Sequence, residues 1–158
     1  MTLLLVRHAE AVSRSAWDGP DVLRPLSAKG RRQASGLVQV LGDQFPMGRL
    51  VSSPSLRCVE TLSPLAATLC LSLGVSSDLA EGAEAEAAVE LGRSGATLPG
   101  GEKALVLCSH GDLIPKILEV LQADGLDLGP DPRCQKGSTW VLEGKRRRFA
   151  TATYIPPP

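Results

Sequence analysis

Two histidines follow apolar runs in a way that could place both imidazoles at one site. His8 comes shortly after the run Leu3–Val6, and His110 follows a second run, Ala104–Cys108. Uninterrupted apolar runs of this length are typical of strands buried on both faces of a parallel sheet. Ligands of such sheets bind beyond the carboxyl ends of the strands. We therefore expect both imidazoles at one rim of the sheet.

Two arginines are expected at the same rim. Arg7 directly precedes the first histidine, and Arg57 falls in the first turn of a helix predicted to begin at Ser53-Pro54, after a short strand Leu50–Ser52. A helix N-terminus carries free N–H groups and a partial positive charge, which favour an anion. Guanidinium groups bind tetrahedral oxyanions with two parallel hydrogen bonds. The four side chains together predict a phosphate-binding pocket.

The elements that position these residues alternate between strand and helix, which predicts an α/β fold. We expect three layers, with a mostly parallel central sheet and helices on both faces. β-rich segments at Ser138–Leu142 and Phe149–Ile155 flank Glu143-Gly144-Lys145 and predict a C-terminal hairpin or edge strand. A further short strand is predicted at Val75–Ser77. Four helices are predicted: from the N-cap Ser27 to about Leu41, from Ser53-Pro54 onwards, from Glu84 to about Arg93, and from Asp112 to about Gln122. Pro64 is expected to kink or restart the second of these helices.

Length and charge restrict the class of protein. A chain of 158 residues has the length of one ordinary domain, so residues 1–158 are expected to form a single domain. Lys plus Arg and Asp plus Glu both number 17, which indicates neither a nucleic acid nor an acidic membrane as partner. Residues 1–60 carry eight bases and five acids, so an anionic substrate is expected at this part of the chain. The loop Arg14–Pro25 is long enough to cover that substrate as a lid.

The pattern of cysteines bears on the cellular compartment and argues against a metal site. The four cysteines have no CxxC spacing and no ligand-like spacing to the histidines, so no metal is expected. The run Leu3–Val6 is too short for a secretion signal or a membrane span. Reduced thiols and a cytoplasmic location are therefore predicted.

Four short motifs occur along residues 3–120: Arg7-His8-Ala9, the segment 52–61 (SSPSLRCVET), Leu79-Ala80-Glu81, and Ser109-His110-Gly111. In this order they resemble the signatures of the histidine phosphatase (phosphoglycerate mutase-like) superfamily. Ala9 stands where the family usually has Gly. It adds only a methyl group, so activity is expected to survive.

Two further segments resemble short members of that superfamily. Arg24-Pro25-Leu26 and Lys29-Gly30 are similar to the bacterial phosphohistidine phosphatases of phosphorelays. The segment 136–142 (KGSTWVL) resembles the end of the phosphatase domain in Nudix–histidine phosphatase fusions, although this sequence contains no Nudix box.

The resemblance implies a phosphomonoester hydrolase without metal or other cofactor. It implies that His8 attacks phosphorus to form a phosphohistidine, and that Arg7, Arg57 and His110 bind the phosphoryl oxygens. Glu81 matches the proton donor, with Glu84 as the alternative. Gly111 and Arg24 are expected to contact substrate.

The substrate and the oligomeric state stay open at this point. A small phosphorylated metabolite or a nucleotide is the first hypothesis, and a phosphohistidine protein is the second. The others are mutase activity, for which the short chain leaves little room, and a non-catalytic phosphate- or partner-binding module, which intact Arg7, His8, Arg57 and His110 argue against.

Overall fold

A six-stranded mixed sheet forms the centre of the computed structural model, which describes residues 1–96, 103–130 and 133–158. Its order is β3-β2-β4-β1-β5-β6. The first four of these strands in spatial order pair in parallel, whereas β5 runs antiparallel to β1, and β6 runs antiparallel to β5. The strands are β1 (Thr2–Arg7), β2 (Met47–Ser52), β3 (Leu73–Val75), β4 (Ala104–Ser109), β5 (Thr139–Lys145) and β6 (Arg148–Ile155). The predicted mostly parallel sheet with a C-terminal hairpin is confirmed.

Four helices cover the two faces of the sheet: α1 (Ala28–Gly42), α2 (Leu56–Leu69), α3 (Ala85–Gly95) and α4 (Leu113–Ala123). On one face Leu4 and Val6 of β1 share a core with residues of α1 and α2. On the other face Leu3 and Leu5 share a core with residues of α3 and α4. Successive strand residues point to opposite faces, so a run that is apolar at every position is buried between two helical layers.

The second helix begins later than the sequence indicates. It starts at Leu56 with Ser55 as N-cap, so Pro54 lies before the helix rather than at its first position. Ser53 also lies before the helix, where its hydroxyl lies 2.7 Å from His110 Nε2 and accepts a hydrogen bond from Ser55 N at 3.3 Å. Pro64 lies inside α2 and does not end it. Arg57 still falls in the first turn, as predicted.

Two strand boundaries also differ from the sequence prediction. The predicted strand Val75–Ser77 is instead β3, Leu73–Val75, because the Ser76 hydroxyl accepts a hydrogen bond from Asp78 N and begins a 3-10 turn. The hairpin turn lies at Arg146-Arg147, not at Glu143-Gly144-Lys145, since Gly144 and Lys145 still pair with β6. Both arginines have positive φ, 51° and 64°.

The predicted lid is folded against the start of the chain. Ala11 and Leu26 form an isolated bridge, and Val12 N donates to Pro25 O at 2.9 Å, which closes the loop between them. Two 3-10 turns, Arg14–Ala16 and Asp21–Leu23, give the loop internal order. Within the described ranges, no helix is long and apolar enough to cross a membrane. All four cysteines are free thiols.

Candidate active site

Both histidines lie at the rim formed by the carboxyl ends of the parallel strands. His8 follows β1 and His110 follows β4, and His8 N donates to Ser109 O at 3.0 Å. The two ring centroids are 5.3 Å apart, with the rings inclined at 64°. The sequence prediction that two histidines about a hundred residues apart share one rim is confirmed.

The environment of His8 holds the imidazole in its neutral form. Its Nδ1 lies 2.7 Å from Ala9 O, and since a carbonyl only accepts, Nδ1 carries the proton. Nε2 therefore keeps its lone pair, and it has no hydrogen-bond partner in the part of the chain that the structure describes. Burial is the main cause that lowers the pKa of His8 to about 3. A neutral imidazole with a free Nε2 is the nucleophilic form.

Arg57 is the most heavily used cation of the site. Its side chain is fully buried. Nη1 donates to Asp21 O at 3.0 Å, and Nη2 lies 2.8 Å from Glu81 Oε2 and 3.2 Å from Asp21 Oδ2. This guanidinium therefore ties the lid turn at Asp21–Leu23 and the Glu81 loop to the start of α2.

His110 is held between Ser53 and Arg57. Its Nε2 lies 2.7 Å from Ser53 Oγ, and its Nδ1 lies 3.4 Å from Arg57 Nη2. A guanidinium nitrogen only donates, so at this contact Nδ1 accepts and Nε2 carries the proton. The Ser53 hydroxyl thus orients the second imidazole.

Arg7 is positioned by two glycine-containing segments. Its Nη1 donates to Cys134 O, and its backbone carbonyl accepts a hydrogen bond from Gly137 N at 3.1 Å. The guanidinium lies directly against Gly111, where an added Cβ would come within 2.6 Å of Arg7 Cζ. Glycine is therefore required at position 111 for Arg7 to keep this position, whatever Gly111 contributes to substrate binding.

The two candidate acids occupy different places. Glu81 lines the same cavity as His8. Its Oε2 accepts a hydrogen bond from Arg57 Nη2, and its Oε1 accepts one from Arg14 Nη2 at 3.3 Å. Glu84 is the N-cap residue of α3 and does not line this cavity. Of the two predicted acids, Glu81 is therefore the one that lies at the cavity wall with His8.

The cavity has a volume of about 630 Å³ and is walled mainly by polar side chains. Arg7, His8, Glu81 and Gly111 line it together with Arg24. The remaining predicted site residues, Arg57 and His110, lie behind this wall and are fully buried. Among the described residues, no group of three or more His, Cys, Asp or Glu side chains is arranged to hold a metal ion.

Sequence reasoning missed three residues that shape this site. Asp21 Oδ1 pairs with Arg24 Nε at 2.9 Å and with Arg14 Nε at 3.3 Å, while its Oδ2 faces Arg57. Ser53 was predicted only as part of a helix start and of a family motif, and Lys136, which lines the cavity, only as part of a resemblance. No periodicity or spacing connects these residues with the histidines, because their proximity depends on how the loops fold over the rim.

Comparison with known proteins identifies the class. The chain belongs to the histidine phosphatase superfamily (branch 1), whose family model matches residues 3–91. It is 33% identical over 158 residues to the 8-oxo-(d)GTP phosphatase of Mycolicibacterium smegmatis. That match covers 99% of this chain and 48% of the relative, so the chain spans about half the length of this curated relative.

Solved structures share the fold at low sequence identity. The protein histidine phosphatase SixA, complexed with tungstate, superposes with a TM-score of 0.73 at 20% identity, covering 98% of this chain and 94% of that one. A mycobacterial glucosyl-3-phosphoglycerate phosphatase complexed with VO3 superposes with a TM-score of 0.73 at 20% identity, covering 94% of this chain and 95% of that one. The alpha-ribazole phosphatase of Shigella flexneri superposes with a TM-score of 0.68 at 16% identity, covering 95% of this chain and 94% of that one.

Proposed function

We propose that this protein is a phosphatase that hydrolyses a phosphomonoester through a phosphohistidine on His8, without a metal ion. The observation that carries the proposal is the state of His8: a buried neutral imidazole with its Nε2 lone pair free, at the wall of a cavity that also presents Arg7. Membership of the histidine phosphatase superfamily supports it.

The first step forms the covalent intermediate. His8 Nε2 attacks phosphorus in line, the bond from phosphorus to the ester oxygen breaks, and that oxygen takes a proton from Glu81. Arg7 and Arg57 neutralise the non-bridging oxygens and His110 adds a hydrogen-bond donor, which supplies most of the rate in a reaction of this kind. Arg57 and His110 are buried behind the cavity wall, so they reach these oxygens only as the phosphate displaces the carboxylates that Arg57 holds. An incoming phosphate competes for Arg57 Nη2 and so frees an oxygen of Glu81, which the arginine otherwise holds at 2.8 Å.

The second step returns the enzyme to its starting state. Water attacks phosphorus on the phosphohistidine, and Glu81, now a carboxylate, takes the water proton. The bond from phosphorus to His8 Nε2 breaks, and inorganic phosphate leaves. The hydrogen bond from Nδ1 to Ala9 O, at 2.7 Å, keeps the same tautomer throughout the cycle.

A small phosphorylated metabolite or nucleotide is the substrate that we favour. The lid is tied down over the site through Asp21 and Arg57, and a closed lid favours a small molecule over a folded protein. The name of the 33% identical relative, an 8-oxo-(d)GTP phosphatase, supports a nucleotide. A phosphohistidine protein is the alternative, supported by the fold shared with SixA.

The test is hydrolysis of p-nitrophenyl phosphate in the presence of EDTA, for the wild type and for His8→Ala. We expect turnover by the wild type that EDTA does not reduce, no turnover by His8→Ala, and acid-labile labelling of His8 during turnover. Lys145→Gln, at the far end of the hairpin, serves as the control for a remote substitution. If His8→Ala retains activity, the phosphohistidine mechanism is wrong. If the wild type is inactive on p-nitrophenyl phosphate, nucleotides and a phosphohistidine protein, the catalytic proposal fails.

A further inference from the structure

The acidic residues of the cavity wall are all engaged by partners from the chain. Glu10 receives the Ser27 hydroxyl at 3.0 Å through Oε1 and faces Lys29 Nζ at 3.4 Å through Oε2. Glu81 is paired with arginines, as described above, and Asp112 Oδ2 accepts a hydrogen bond from Gly82 N at 2.9 Å. Each of the three carboxylates that line the cavity therefore has a hydrogen-bond or ion-pair partner within the chain.

Two cations of the same wall keep unused donors. Arg24 is buried, at 8% exposure. Its Nε donates a hydrogen bond to Asp21 Oδ1 and its Nη1 donates one to Val12 O at 2.8 Å, so its Nη2 has no partner among the described residues. Lys136 lines the cavity and forms no ion pair within the described residues. Neither cation belongs to the set proposed to hold the transferred phosphoryl group, which is Arg7, Arg57 and His110.

Backbone contacts hold Lys136 close to the reacting histidine. Gly137, the next residue, donates its N–H to both Arg7 O and His8 O, each at 3.1 Å. The Gln33 side chain bridges Lys136 O, at 3.2 Å, and Glu10 N, at 2.9 Å. Lys136 therefore lines the cavity from a backbone that is fixed beside His8.

Arg24 is fixed with comparable rigidity on the lid. The bond from its Nη1 to Val12 O fastens the side chain to the segment that follows Glu10, and Asp21 orients the guanidinium from the other edge. A buried guanidinium with an unpaired donor at a cavity wall is suited to an oxyanion.

We propose that Arg24 and Lys136 form a second anion subsite, so that the substrate carries a second phosphate group on the part that leaves. This rests on the proposed function, because it takes the transferred phosphoryl group to be bound at His8. The corresponding substrate class is a nucleoside diphosphate or polyphosphate. In this class the bond that breaks is the anhydride bond from the terminal phosphorus to the bridging oxygen, which stays on the next phosphate, rather than an ester bond. The first phosphoryl group meets Arg7, Arg57 and His110, and the next one along the chain of phosphates meets Arg24 and Lys136.

The experiment compares phosphate release from guanosine diphosphate and guanosine monophosphate. The base and sugar are the same, so only the second phosphate differs, although the two leaving groups also differ in intrinsic reactivity. For that reason the informative quantity is the change in the ratio of the two kcat/KM values between variants. The variants are Lys136→Gln, Lys136→Arg and the matched charge change Lys145→Gln.

We expect Lys136→Gln to lower the diphosphate-to-monophosphate ratio about tenfold, the usual weight of one charge-assisted contact. We expect Lys136→Arg to restore most of the ratio, and Lys145→Gln to leave it at the wild-type value. An unchanged ratio in Lys136→Gln overturns the subsite.

A binding measurement separates this proposal from the catalytic one. If the wild type turns over neither p-nitrophenyl phosphate nor nucleotides nor a phosphohistidine protein, the proposed function fails by itself. Calorimetric titration with inorganic pyrophosphate and with inorganic phosphate then decides the subsite. Tighter binding of pyrophosphate that Lys136→Gln abolishes supports the subsite, and equal loss of both anions, or of neither, contradicts it.

Discussion

At the residue scale, the contact between Gly111 and Arg7 shows how a residue without a side chain determines the position of a charge. The Arg7 guanidinium occupies the space that a Cβ at position 111 would need, with a separation of 2.6 Å from Cζ. The Arg7 side chain is also bound to Cys134 O, so it cannot move away without losing a hydrogen bond. The positions of the two residues are therefore coupled.

Gly111→Ala is expected to lower kcat/KM for p-nitrophenyl phosphate at least about tenfold, because displaced Arg7 no longer neutralises the phosphoryl oxygens. Steady-state kinetics on folded protein measures this. Gly42→Ala, where an added Cβ meets nothing within 4 Å, is the control and should keep wild-type kinetics. Wild-type kinetics in Gly111→Ala would show that Arg7 does not need its observed position.

The roles of Glu81 and Glu84 can be distinguished by comparing substrates whose leaving groups differ in basicity. A proton donor matters most when the leaving oxygen is strongly basic, so Glu81→Gln should reduce kcat on an alkyl phosphate by about 10²–10⁴-fold and should affect p-nitrophenyl phosphate far less. Glu84→Gln is the matched control, since Glu84 lies at the N-cap of α3 and outside the cavity wall. The reverse pattern would assign the proton transfer to Glu84.

At the element scale, a glycine in the first turn of α1 lets this helix pack closely against the loop that follows His8. Gly30, in the first turn, is so close to the preceding loop that a Cβ would lie 1.9 Å from Glu10 O. The same carbonyl accepts a hydrogen bond from Ser27 N at 2.9 Å, and Ser27 caps the helix by accepting from Gly30 N. Gln33, one turn later, then reaches both Glu10 and Lys136.

Two glycine substitutions in α1 should therefore have opposite signs. Gly30→Ala forces the helix away from Glu10 and is expected to lower the free energy of unfolding by several kcal/mol, on the order of other overpacking changes or more. Gly42→Ala, in open space at the end of the same helix, should raise it by up to about 1 kcal/mol. Urea denaturation compares the two variants. A neutral Gly30→Ala would contradict the close contact of helix and loop.

At the scale of the whole molecule, the buried imidazole of His8 makes stability depend on pH. Burial lowers the pKa of His8 from 6.5 to about 3 in the folded chain. Between these two values the unfolded chain binds the proton and the folded chain does not, so the free energy of unfolding falls as the pH decreases. Above pH 6.5 both states are neutral at this residue, and its contribution no longer changes.

His8→Asn should flatten this dependence. Its amide can still donate to Ala9 O, but it does not titrate, so between pH 6.5 and about pH 4 the variant should lose less stability than the wild type. Denaturation midpoints at several pH values measure the difference. Parallel curves for the two proteins would show that His8 does not carry the low pKa.

The sequence by itself determined the layers, the rim and the main residues of the site. Leu3–Val6 and Ala104–Cys108 are apolar at every position, and only a strand covered on both faces buries such a run. Because parallel strands end at one edge, the positions of His8 and His110 after those runs were enough to bring them together. Arg7, next to His8, and Arg57, in the first turn of a helix that follows a strand, were predicted at the rim by the same reasoning, whereas Glu81 was predicted only through the resemblance to the family motifs.

Only the tertiary structure decided how the loops meet over that rim. Asp21 reaches Arg57 because the lid folds back on β1, and Ser53 reaches His110 because the segment before α2 turns towards β4. Lys136 lines the cavity because Gln33 holds the backbone at position 136. The hairpin turn moved to Arg146-Arg147 for a related reason, since the pairing of Gly144 and Lys145 with β6 outweighed the turn propensity of glycine. Local patterns determine which segments are buried, whereas contacts between loops far apart in sequence depend on geometry that no local pattern encodes.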